Sequence, residues 1–135
     1  MEGMSGLDQT ISELKVYLGE DPEEKILREK YEQQVGSILY DMNKKFGKNT
    51  KNAEWHITTL GDKKGIRVEG YGLHFYLKKD TNVIEVEKVA YRLPKRLDEI
   101  IIQEGELYCT QKREVFTEEI FNQYLKDAFK ELLDK

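Results

Sequence analysis

The chain is poor in the residues that most enzymes use for chemistry: 135 residues contain two histidines, one cysteine and two prolines. Cys109 on its own closes no internal disulfide and has no second thiol with which to share a metal, which points to a reducing, cytoplasmic setting. No apolar run approaches the roughly 20 residues that a membrane span requires, so no membrane partner is expected. Met1-Glu2-Gly3-Met4-Ser5 has neither the basic start nor the apolar core of a secretory signal. A phosphate-cradling loop is missing too, because Gly70-Tyr71-Gly72 joins two strand-like runs and precedes no helix. No repeat, low-complexity tract or linker divides the sequence, and residues 1–135 read as one α+β domain.

Charge, by contrast, is abundant and unevenly placed. Residues 1–42 carry 4 basic and 10 acidic side chains, a net of −6; residues 43–96 carry 13 and 6, a net of +7; residues 97–135 carry 5 and 10, a net of −5. Either acidic helices attract a basic sheet within one fold, or the middle segment offers a basic surface to an acidic partner.

That middle segment organises the rest. Its apolar residues alternate in four runs: Trp55 and Ile57; Ile66 and Val68; Leu73, Phe75 and Leu77; Ile84 and Val86. Gly, Asp and Asn separate the runs, and a period of two between such turns predicts antiparallel strands joined by hairpins. Pro94 cannot donate to a ladder, so the sheet is expected to pause there. A second hairpin follows, with Ile100, Ile101 and Ile102 on one arm, Leu107, Tyr108 and Cys109 on the other, and Glu104-Gly105 as its turn. The triple isoleucine predicts a central strand covered on both faces.

Helices flank this sheet. Leu7, Ile11, Leu14 and Leu18 predict a first helix over about 7–18, with Ser5 its cap and Gly19 its stop. Asp21 as N-cap and Pro22 as first residue open a second over about 22–46, whose stripe runs from Ile26 and Leu27 through Tyr31, Val35 and Leu39 to Phe46. Gly47 is its expected stop, and Gly36 within it is best explained by the close crossing of another backbone, with a mild kink as the alternative. Thr117 caps a closing helix over about 118–134, with Phe121, Tyr124 and Leu125 on its apolar face. The order ααββββ-ββα is an α+β fold: an antiparallel sheet of about five to six strands over about 53–116, two N-terminal helices and one C-terminal helix. In topology this resembles the small bacterial secretion chaperones, helix-flanked sheets that dimerise and hold a partner chain.

Candidate chemistry is sparse. His56 and His74 fall on the polar parity of their strands, together with Arg67 and Tyr76. If their strands are neighbours, the two imidazoles approach each other, and Glu69 or Glu85 completes a divalent-metal site. Aromatic and basic side chains sharing a sheet face also suit the stacking and phosphate contacts of a single-stranded nucleic acid. Cys109 has no histidine placed beside it by the sequence and reads as a small buried side chain.

The reading that results is a small non-enzymatic binding protein of bacterial or phage type, needing no cofactor and acting through a protein partner or a homodimer. Its binding residues are His56, Arg67, His74 and Tyr76. A nucleic-acid or other polyanion binder using 43–96 is the alternative, and a metal-dependent enzyme at His56/His74 a distant third. Self-association is expected from the long helix, whose stripe outruns a small sheet and leaves Ile26, Leu27 and Tyr31 for a second copy or for the first helix to cover.

Overall fold

The computed structural model describes residues 6–19, 21–49 and 54–134; Ser5, the expected cap of the first helix, lies outside them. Seven strands, β1 (Trp55–Thr58), β2 (Lys63–Val68), β3 (Tyr71–Lys78), β4 (Val83–Ala90), β5 (Leu93–Gln103), β6 (Glu106–Cys109) and β7 (Glu114–Val115), form one antiparallel sheet in chain order. The alternation in sequence is the alternation of its faces. Ile57, Ile66 and Leu73 lie on one face, with Phe75 across from Val86 and Ile84 across from Ile100. The seventh strand exceeds the expected five to six because two residues are too few to show a period.

Pro94 does not interrupt the sheet. It sits inside β5, opposite Val89, while β6 pairs only with Ile100 to Gln103. The far edge of β5 is therefore unpaired at Pro94, where a missing N–H breaks no ladder. A bulge at Leu97 shifts the register, so that Val86 faces Asp98 and Glu87 faces Arg96. This turns Asp98 into the core. Its carboxylate is fully buried and accepts hydrogen bonds from the Tyr124 hydroxyl at 2.7 Å and from the N–H groups of Glu99 and Gln111 at 2.7 and 2.8 Å. Nor is the isoleucine run covered on both sides: Ile100 is buried, but Ile101 is half-exposed on the opposite face.

The long helix consists of α2 (Pro22–Lys30), a π-helical segment (Tyr31–Gly36) and α3 (Ser37–Asn49), and it passes Gly47 without stopping. Asp21 caps it, accepting from the Glu23 N–H at 3.0 Å. Leu27, Tyr31, Val35 and Leu39 are all fully buried against the sheet. Residues four apart rotate by about 40° per step on a helix of 3.6 residues per turn. The wider i→i+5 turn at Tyr31–Gly36 offsets that drift and keeps the four on one line. The expectation that Leu27 and Tyr31 lie exposed is thereby corrected. The Tyr31 hydroxyl reaches through the layer to the carbonyls of Asp62 and Phe75, at 2.9 and 3.0 Å. Gly36 is corrected as well, since a Cβ there would meet the side chains of Glu32 and Lys64 at 3.7 and 3.9 Å, which is ordinary contact and involves no crossing backbone.

Lys64, although a lysine next to a turn, is fully buried on the core face of β2. It holds Glu32 at 2.9 Å and the Thr59 carbonyl at 2.9 Å, with the Tyr31 ring 5.1 Å away. Lys88 on β4 likewise reaches Asp127 at 2.7 Å. Part of the segregated charge is thus spent between sheet and helices. The closing segment comprises α4 (Glu118–Ala128) and α5 (Lys130–Leu133), opened by Thr117, which accepts from the Ile120 N–H at 3.2 Å. Phe121 stacks on Phe75 with ring centres 5.4 Å apart. Burial pushes the Cys109 thiol up to about 11.

One helix stands apart. α1 (Gly6–Tyr17) has no buried residue, and Leu7, Leu14 and the following Leu18 are 71%, 55% and 80% exposed. No helix among the described residues is long and apolar enough to cross a membrane.

Candidate functional site

The sheet face away from the helices is open, and its polar residues are ordered by the register. His56 faces Arg67, which faces Gly72; Gly65 faces His74, which faces Glu87; Tyr76 lies between Lys63 and Glu85. Because β2 runs between β1 and β3 and His74 lies two residues along from the position opposite His56, the two histidines stand roughly 11–12 Å apart between their Cα atoms. The close imidazole pair is therefore corrected: a meander of successive hairpins puts the third strand two places from the first. No group of three metal-ligating side chains converges among the described residues.

The open face divides in two. Around Tyr76 its charges are spent on one another: Lys78 and Arg96 reach Glu85 at 3.1 and 3.7 Å, and Arg96 also reaches Glu99 at 3.3 Å. Lys63 lies over the Tyr76 ring at 5.6 Å. The other half opens into a cleft of about 580 Å³ whose lining includes His56, Arg67, His74, Tyr91 and Arg92. Three of the four binding residues read from the sequence thus share this cleft, and Tyr76 stands outside it.

Two adjacent reversals build the cleft's end. The Tyr91 N–H donates to the Gly70 carbonyl at 2.7 Å, tying the β4–β5 turn to the β2–β3 turn, and the Glu69 N–H donates to the Glu54 carbonyl at 2.8 Å. Glu69, Tyr91 and Arg92 all adopt left-handed backbone, with φ of 55°, 50° and 73°. Tight hairpins favour Gly or Asn at such positions. Here they hold larger side chains, and the Tyr91 ring covers Gly70 so closely that a Cβ there would lie 2.5 Å from it.

His74 forms the floor. Its imidazole packs over Gly65, where a Cβ would strike both the ring and the Leu73 carbonyl. Burial, then the charges of Lys63 and Arg67, bring its pKa down to about 4, so it is neutral at pH 7. Its Nδ1 is buried without a hydrogen-bond partner. Sequence parity found His56, Arg67 and His74; Tyr91 and Arg92 were missed because nothing in a Tyr-Arg pair announces a two-residue turn.

A second feature lies on the helical side. Met42, Phe46, Leu125, Phe129, Leu132 and Leu133 line an apolar groove of about 480 Å³ between α3 and the closing helices. Ile66 and Val68 of β2 complete it.

The chain belongs to a family described as protein of unknown function (DUF3942), whose model matches residues 7–133. No curated protein and no solved structure matches it.

Proposed function

We propose that the protein acts by binding rather than by catalysis, and that its partner is a second copy of the chain, each copy laying α1 in the apolar groove of the other. The observation that carries this reading is the wholly exposed stripe of α1, with Leu7, Ile11, Leu14 and Leu18 between 42% and 80% exposed. Contiguous apolar surface of this kind usually marks an interface.

Chain length argues that the occupant of the groove comes from another copy. Met42 and Phe46 lie about 30 and 36 Å along the helix from Pro22 at 1.5 Å per residue. Four residues from Leu18 to Pro22 span at most about 14 Å. Folded back along its own helix, α1 brings Leu7 no farther than the start of the groove and leaves Ile11, Leu14 and Leu18 short of it. A second copy has no such tether. At about 60–120 Å² of apolar area per side chain, the stripe and the groove it covers amount, over two reciprocal contacts, to about 1,000 Å². That is the lower limit for a specific interface. One cysteine, buried in the core, suits a cytoplasmic protein.

A polyanion on segment 43–96 has less in its favour, because Lys64, Lys78, Lys79, Lys88 and Arg96 already hold carboxylates. Sedimentation equilibrium at about 50 µM tests the proposal. A species of twice 15.9 kDa is expected, reverting to 15.9 kDa in Leu14→Lys, which should still melt cooperatively and at the temperature of wild type diluted to its monomer. A wild-type chain that sediments only as the monomer refutes it.

A further inference from the structure

The cleft on the open face has features that self-association through α1 does not require. Two mid-strand glycines, residues that weaken a sheet, border the His74 imidazole: a Cβ on Gly72 would stand 3.3 Å from both Nε2 and the Ile66 carbonyl, and one on Gly65 would strike the Leu73 carbonyl and then the ring. Left-handed Tyr91 and Arg92 bring a ring and a guanidinium to the rim at a conformational cost that Gly or Asn would not incur. Such strain persists where the surroundings hold it, and it gathers at ligand sites.

The charges at this end are also left open. Arg28 and Arg96 each reach a carboxylate within 4 Å, whereas Arg67 and Arg92 have no ion pair among the described residues. Glu54 and Glu69 line the same cleft without holding either guanidinium. The resolved charges felt by His74 are those of Lys63 and Arg67, both positive. Its buried Nδ1 still lacks a partner. A volume of about 580 Å³ accommodates a small organic molecule.

We infer that this cleft is a binding site for a small organic oxyanion, a carboxylate or phosphate monoester on a planar ring, with the oxyanion between Arg67 and Arg92 and the ring against Tyr91. Guanidinium groups suit this class because their planar forks match carboxylate and phosphate oxygens two at a time. A neutral His74 adds no charge of its own, so the arginines supply the positive charge for binding. Glu54 and Glu69 in the lining oppose an extended polyanion running across the cleft.

The test is a titration of the full chain with benzoate, phenyl phosphate, inorganic phosphate and the neutral benzamide, followed by the imidazole and amide resonances. Saturable shifts at His74 and Gly70 with benzoate or phenyl phosphate, and none with benzamide, are expected. The aromatic anion that saturates identifies the oxyanion as carboxylate or phosphate, and inorganic phosphate should bind more weakly than phenyl phosphate because it lacks the ring. Replacing both Arg67 and Arg92 by Ala should weaken binding by about tenfold or more, with the melting temperature unchanged. Tyr91→Ala should erase the preference for phenyl over inorganic phosphate. The inference is overturned if neither aromatic anion saturates below about 10 mM, or if its affinity survives the double arginine variant.

Discussion

Acidification from pH 7 to 5 should unfold this protein more easily through one imidazole. His74 titrates near 4 in the folded chain because burial and two cations oppose its charged form, whereas an unfolded histidine titrates near 6.5. Between those values the unfolded chain binds the proton and the folded one does not. The stabilising contribution is therefore complete above about pH 6.5, falls as the pH drops, and is exhausted below about 4. Integrating over that window gives a loss of about 2 kcal/mol between pH 7 and pH 5, and about 3 kcal/mol in full. Urea melts of the wild type and of His74→Gln at pH 7, 6 and 5 isolate the effect, since carboxylates contribute equally to both. The wild type should lose about 2 kcal/mol more than the variant over this range. Equal slopes in the two proteins, or an imidazole midpoint above about 6 by NMR, would refute the buried, cation-flanked placement of this ring.

Two further outcomes bear on the core. Asp98→Ala strips three hydrogen bonds, one from the buried Tyr124 hydroxyl and two from the part-buried N–H groups of Glu99 and Gln111, and should cost about 3 kcal/mol in urea melts; a loss below about 1 kcal/mol would mean that the carboxylate is not anchoring β5 to α4. Gly36→Ala should raise stability by about 0.5–1 kcal/mol in calorimetry, because its Cβ finds only ordinary contacts at 3.7 Å or more. A destabilised variant would show that the π-helical segment depends on the glycine.

Much of this architecture was written locally. Asp21-Pro22 and Thr117 fix helix starts through hydrogen bonds within a few residues, and the alternation in β1 to β4 assigns every side chain to a face. What escaped depends on neighbours distant in sequence. Lys64 looks like any turn lysine until Glu32 and Tyr31 arrive from the helix to receive it. Asp98 enters the core only because a bulge at Leu97 rotates β5, and no residue type marks that bulge. Pro94 is tolerated because β6 is too short to reach it, a fact about a strand that begins 12 residues later. The same holds for the candidate site. Parity placed His56, Arg67 and His74 on one face but not their spacing, which the intervening β2 sets. The periodicity of α1 shows which of its faces is apolar, and nothing in its own residues says what covers it.

Exchange of α1 between copies is tested most directly by a disulfide that only two chains can make. Leu14→Cys places a thiol on the exposed stripe, and Leu133→Cys places one on the rim of the groove, where the side chain is 72% exposed. Native Cys109 is buried, with its thiol pushed up to about 11, and stays out of the reaction. The two variants, mixed in equal amounts and oxidised, should give a covalent dimer of one chain of each kind, faster and in higher yield than either alone. A mixture that yields no such mixed dimer would contradict the account.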